Sequence, residues 1–171
     1  MLFSSWGPTD DGRIKPEIVA KGVGVRSTLV ASDTASGLKS GTSMASPAVA
    51  GAALLMQQHY HNIYNNFMKA ATLKGLLLHT ADEAGFYDGP DYEYGWGLLN
   101  AERAANVITG KNTGATIIDE LTLTNGETYT KSITVNGTEP LQVSISWTDR
   151  AGNANSGTVD LPTLALVNDR M

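Results

Sequence analysis

The chain has 171 residues, 42% of them hydrophobic and 17% charged, which is room for one globular domain or parts of two. A net charge of -5 argues against nucleic acid as the main partner, because phosphate binding needs clustered Lys and Arg. The absence of cysteine excludes disulfides and thiolate metal sites, and no apolar run reaches the ~18 residues that span a bilayer, so no membrane partner is expected.

Residues 1–8 lack the basic start and the apolar stretch of a signal peptide. Residues 7–16 then carry a dense turn signal: Gly7-Pro8, Asp10-Asp11-Gly12 and Pro16. From 14 to 29 the β-branched residues Ile18-Val19, Val23 and Val25 predict one or two short buried strands, interrupted by Gly22 and Gly24. Residues 31–41 are small and polar and read as a surface loop ending at Gly41.

The pattern from Ser43 to about Tyr60 is helical. Ala45, Ala48, Val49, Ala52, Ala53, Leu55 and Met56 cover most of the circumference, which predicts a central, buried helix. Pro47 has no N–H and leaves the Ser43 carbonyl without its usual donor. That is tolerable only in the first turn, so Ser43 belongs at the N-terminus. A second helix is expected over 69–79, with Ala70, Leu73, Leu76 and Leu77 inward. Residues 82–97, rich in Gly, Asp and Tyr, read as a loop. Asn100 can cap a third helix through about Ile108.

The character changes after Gly110. Residues 116–124, 127–135 and 141–148 alternate apolar and polar side chains, and Asn125-Gly126 and Asn136-Gly137 separate them as hairpin signals. With a further fragment at 161–167, this predicts the opening of an all-β sandwich module, too short to close. The expected boundary lies near 110–115, giving units of 1–110 and 115–171.

The stretch Ser40-Gly41-Thr42-Ser43-Met44-Ala45-Ser46-Pro47 carries the chemistry. A serine at a helix N-terminus sits where unpaired N–H groups and the macrodipole favour a developing oxyanion. The plainer reading is that Ser43 or Thr42 caps the helix. The G-x-S-x-G elbow of α/β-hydrolases does not fit, because Ala45 stands at the last glycine. A serine nucleophile also needs a base. The histidines are His59, His61 and His79, and none precedes Ser43. His59 and His61 lie about 24 Å or more down the same helix at ~1.5 Å per residue.

Gly41 to Pro47, followed by Ala48-Val49-Ala50-Gly51, resembles the nucleophile segment of the subtilisin-like serine proteases, the subtilases. Phe3-Ser4-Ser5-Trp6-Gly7-Pro8 and Asp11-Gly12-Arg13-Ile14-Lys15-Pro16-Glu17-Ile18 resemble the family's segment just upstream. Tyr94-Gly95-Trp96-Gly97-Leu98-Leu99-Asn100-Ala101 resembles its closing segment. The resemblance implies an α/β fold with a mostly parallel sheet, here the C-terminal part of a catalytic domain. It implies a serine endopeptidase acting on protein or peptide substrates. Ser43 would be the nucleophile and one backbone oxyanion donor. Thr42, Gly41, Ser40 and Lys39 would lie near the substrate, with Thr42 assisting through its hydroxyl. In the family the triad Asp and His, and the oxyanion-hole Asn, precede the serine. No position here receives them, so the 171 residues alone are expected to be inactive. Lys21 also departs from the family, where proline is common. The intact parent is expected to be secreted. No cofactor is expected for the chain, with Ca²⁺ a property of the full-length parent. The alternative is a non-catalytic pseudoenzyme or binding module.

Weaker signals have plainer readings. His79 reads as a cationic or capping residue at a helix end. Asp88, Asp91 and Glu93 offer oxygen ligands for Ca²⁺, but a solvated turn explains them. Asn136-Gly137-Thr138 matches a glycosylation sequon, but a hairpin turn explains it more simply. Tyr129 and Trp147 could stack on a sugar, and core packing is their default.

Overall fold

The computed structural model describes residues 3–138, 140–152 and 166–167. Five elements run in chain order: strands β1 (Val25–Thr28) and β2 (Ser36–Lys39), then helices α1 (Thr42–Tyr64), α2 (Ala70–His79) and α3 (Ala101–Thr113).

The helices form where local chemistry predicts. Pro47, expected in the first turn, is the sixth residue of α1, just beyond that turn, where its missing N–H leaves the Ser43 carbonyl without its usual donor. Asn65 ends α1 in the left-handed conformation, its N–H donating to the His61 carbonyl. Asn100 caps α3 by accepting from the Arg103 N–H at 2.9 Å. The helix then runs five residues past the expected Ile108, to Thr113, and Gly114 closes it with φ 79°. The core is the junction of the three helices. Met56 and Tyr60 of α1, Leu76 and Leu77 of α2, and Ala104 and Ile108 of α3 are buried together with Met68. Gln57 ties α1 to the α1–α2 turn, donating to the Met68 carbonyl and accepting from its N–H, both at 2.9 Å.

α1 is not buried on all sides. Its buried residues, Ala52, Met56 and Tyr60, repeat every four positions, which is a single stripe. Leu54 and Leu55 are 71% and 58% exposed. Apolar content all round a helix shows that it can be buried, and only the neighbouring elements decide how much of it is.

The sheet also differs from expectation. β2 lies in the stretch read as a surface loop and pairs antiparallel with β1, Val25 opposite Lys39 and Thr28 opposite Ser36. Ser36-Gly37-Leu38-Lys39 has no alternation to announce a strand, and its pairing comes from the partner across the turn. The expected buried strands are only partly buried: Ile18, Val19 and Val25 are half-buried, Val23 is 54% exposed, and only Ala20 and Gly22 are buried nearby. Parallel pairing among the described residues is one bridge, Val19 to Leu98, so the sheet is not mostly parallel. That bridge is secured by Val19 N–H to the Gly97 carbonyl at 3.0 Å and Leu99 N–H to the Val19 carbonyl at 2.9 Å.

No strand forms among the described residues after 113. The turn at Asn125-Gly126 does form, with Gly126 at φ 89° and Glu127 N–H donating to the Thr124 carbonyl at 3.0 Å. Turn chemistry is local, whereas a strand needs a hydrogen-bonded neighbour. The apolar residues expected on strand faces are largely open to solvent, Ile145 and Val143 among them. Tyr129 and Trp147, expected in a core, are 47% and 51% exposed. The strand expected at 161–167 lies largely outside the described residues.

Ile108 is fully buried, so Ile108→Ala is expected to cost about 2–5 kcal/mol in urea denaturation. Leu54→Ala on the open face of α1 is expected to stay within about 0.5 kcal/mol of the wild-type chain.

Candidate active site

The loop before α1 is set by one unusual residue. Gly41 sits at the N-cap position with φ 154° and ψ 163°, a conformation that costs a side chain dearly. No side chain caps this end of the helix. Ser43 and Thr42 are therefore not capping residues. They are the second and first residues of α1, and both are exposed. The first N–H groups of a helix have no carbonyl four residues back. Met44 N–H turns to the Gly41 carbonyl at 3.0 Å. What results is an exposed hydroxyl beside backbone donors, at the positive end of a 23-residue helix.

Two bonds hold this loop. Gly41 N–H donates to the Gly22 carbonyl at 2.8 Å. Gly24 N–H donates to the Ser40 hydroxyl at 2.9 Å. The backbones meet so closely that a Cβ on Gly22 would lie 2.8 Å from the Gly41 oxygen and 3.3 Å from the Ala45 Cβ. Ser40, Gly41, Thr42 and Ser43 are thus one contiguous unit pinned to residues 22–24. Lys39, at the end of β2, stands opposite Val25. Beside the pinned loop lies an open cleft of about 370 Å³, walled by Val19, Val23, Ala84, Tyr94 and Leu98, with Lys21 and Gly22 also lining it. Sequence reading took Gly22 and Gly24 as interruptions of a strand. Gly22 serves close backbone approach, which a glycine in an apolar run can signal, and Gly24 takes a left-handed φ of 60° in open space.

The histidines are engaged elsewhere. His59 Nε2 lies 2.9 Å from the Thr109 hydroxyl. The His61 ring stacks on Phe67 at 4.5 Å. Both lie on α1 with Ser43, about 24 Å or more from it at ~1.5 Å rise per residue. His79 ends α2, with Nδ1 2.7 Å from the Ser144 hydroxyl. Burial, and then the Arg103 guanidinium, push the His79 imidazole below its ordinary value. The position read as a cationic or capping residue thus holds a half-buried ring within hydrogen-bond distance of Ser144.

The other polar candidates are used locally. Asp91 Oδ1 accepts from the N–H groups of Glu93 and Tyr94, both at 2.7 Å, which orders the turn. Among the described residues no group of three or more His, Asp or Glu is placed to hold a metal ion. Asn136 folds its side chain onto its own turn, accepting from the N–H and hydroxyl of Thr138 at 3.1 and 2.9 Å. No helix among the described residues is long and apolar enough to cross a membrane.

The chain is similar to known proteins in sequence and in fold. Bacillopeptidase F of Bacillus subtilis is 36% identical over 110 residues, covering 63% of this chain and 7% of its own length. C5a peptidase of Streptococcus pyogenes is 38% identical over 112 residues, covering 60% of this chain and 9% of its own. The structure of the Clostridium perfringens CspB protease superposes with a TM-score of 0.52 at 29% identity, over 57% of this chain and 21% of that one. The chain thus spans less than a tenth of the two curated relatives. The sequence model of the subtilase family matches residues 1–97, which include the pinned loop and Ser43. The chain belongs to the subtilase family of serine peptidases.

Proposed function

We propose that this chain carries the nucleophile portion of a serine endopeptidase. The Ser43 Oγ attacks the scissile carbonyl of a protein or peptide, and its proton passes to a base. The carbonyl oxygen becomes an oxyanion that the Ser43 N–H helps to hold. Collapse of that intermediate expels the amine and leaves an acyl-enzyme, which water then hydrolyses. Acyl transfer to serine calls for no cofactor. The observation that carries this reading is an exposed Ser43 in the first turn of α1, after a loop held through the Ser40 hydroxyl and the Gly41 N–H. Thr42 and Ser40 flank the bound peptide. Residues 1–110 form the subtilase unit and 115–171 a following module. As with peptidases of this family, the intact protein acts outside the cell.

The base is the missing part. All the histidines follow Ser43 and are engaged elsewhere, which supports the reading that the 171 residues by themselves do not turn over substrate. In subtilisin, loss of the base alone lowers turnover by about 10⁶. The same observation favours a second reading, a non-catalytic binding protein that kept the fold. The genomic frame upstream of Met1 separates the two. The peptidase reading expects open frame encoding an Asp motif and then a His motif; stop codons immediately upstream favour the binding protein.

The longer in-frame product is expected to hydrolyse casein peptides, and Ser43→Ala is expected to lower the rate by about 10⁶. Undiminished hydrolysis by that variant would remove Ser43 from the mechanism. The 171-residue chain is expected not to react with a fluorophosphonate, and stoichiometric reaction lost in Ser43→Ala would show that it needs no added base.

Gly22→Ala drives a Cβ against the Gly41 carbonyl, so the loop must shift. In the longer product this variant is expected to lose about 10- to 100-fold in kcat/KM, as misplacement of a reacting group by about 1 Å does. Gly51→Ala, with no atom within 4 Å of its Cβ, is the matched control and is expected to keep full activity.

A further inference from the structure

Helix α2 has no cap of its own: Lys69 stands at its N-cap position and makes no side-chain cap bond. A distant carboxylate meets this end instead. Glu120 Oε1 accepts from the Lys69 N–H at 2.7 Å and from the Thr72 hydroxyl. Negative charge here complements the helix dipole. The other end is also held from downstream. His79 Nδ1 lies 2.7 Å from the Ser144 hydroxyl, and Gln142 Nε2 donates to the His79 carbonyl at 3.2 Å. Between the two ends, a Cβ on Gly75 would lie 2.7 Å from the Ser146 Cβ. The contacts thus run the length of a 10-residue helix, about 15 Å. Elsewhere on α2, Leu76 and Leu77 are buried against α1 and α3.

We propose that the segment bearing Glu120, Gln142, Ser144 and Ser146 is a strap fastened along α2 at both ends, coupling the downstream module to the helices that support Ser43. The coupling is direct, because α2 packs on the buried stripe of α1. The His79 end is its releasable fastening. A cleft of about 250 Å³ lies there, between the end of α2, α3 and the strap.

The charged groups facing His79 are few. Arg103 comes from α3, with Asp82 paired to it at 3.3 Å. The strap presents the uncharged Gln142 and Ser144, and Lys74 of α2 is turned to Glu17 at 3.0 Å. Protonation of His79 does not by itself break the Ser144 bond, since a serine hydroxyl accepts as well as donates. It places a cation in a half-buried site near Arg103. Because the docked ring has its pKa lowered, fastening is complete above about pH 6.5 and weakens as the pH falls below it.

Hydrogen exchange on the 171-residue chain tests this. In Glu120→Gln and in Ser144→Ala, amides of α2 are expected to exchange about 2- to 10-fold faster, with α3 unchanged. Wild-type α2 is expected to lose protection between pH 7.5 and 5.5 after correction for intrinsic rates, and His79→Gln to lose that dependence. The chain has no cysteine, so introduced pairs carry no background. Gly75→Cys/Ser146→Cys is expected to form a disulfide under mild oxidation, and Gly51→Cys/Ser146→Cys is not. Unchanged α2 exchange in both strap variants, or equal cross-linking of the two cysteine pairs, would overturn the proposal.

Discussion

The contact between Gly41 and Gly22 is the constraint on which the rest depends. One N–H donates to one carbonyl at 2.8 Å, across a gap that excludes even a Cβ. It joins the residues before β1 to the entrance of α1. Ser40 adds a second tie to Gly24, and the antiparallel β1–β2 pair carries the chain between them. The position of Ser43 at the head of α1 is therefore set by backbone contacts of the loop before it. A serine that caps its own helix spends its oxygen on a backbone N–H, whereas here the N-cap residue is a glycine with no side chain to spend.

From that entrance the structure is a chain of supports. α1 presents a stripe of Ala52, Met56 and Tyr60 to α2 and α3, and the fully buried Ile108 anchors the junction. The closing segment returns to the same region. Leu98 bridges Val19, and a Cβ on Gly97 would lie 2.1 Å from the Asp82 carbonyl oxygen, so glycine is required there. Glu17 adds an ionic tie. Its half-buried carboxyl suffers from burial, but the ammonium groups of Lys15 and Lys74 outweigh that and hold it below the usual carboxylate range. The residues leading to β1 are thus fastened to both α2 and the closing segment, and the loop that carries Ser43 rests on them.

How much of this was legible in the sequence depended on how local each signal was. Pro47 placed the start of α1, Asn100 the start of α3, and Asn125-Gly126 a real turn. Each acts within a few residues. What could not be read was decided by partners. Ser36-Gly37-Leu38-Lys39 became a strand because β1 lies beside it. Leu54 and Leu55 looked like core and are open, because a helix's own sequence does not say how many neighbours it has. The alternation after residue 116 described faces that no described neighbour covers, so turns formed without ladders. At the site, Ser43 stood out by its flanking motif, whereas Gly22 mattered only through a contact nineteen positions away in sequence.

The most direct measurement of the central claim is the site of covalent attachment. The longer in-frame product, treated with a fluorophosphonate, digested and mapped by tandem mass spectrometry, should carry the phosphonyl group on the Ser43 oxygen. The same peptide contains Ser40 and Ser46, which should remain unmodified. Attachment at either of these, or at a serine elsewhere, would contradict the account, because Ser43 is the exposed second residue of α1, directly after the Gly41 that Gly22 holds, whereas the Ser40 hydroxyl is taken by the Gly24 N–H and Ser46 lies further along the helix.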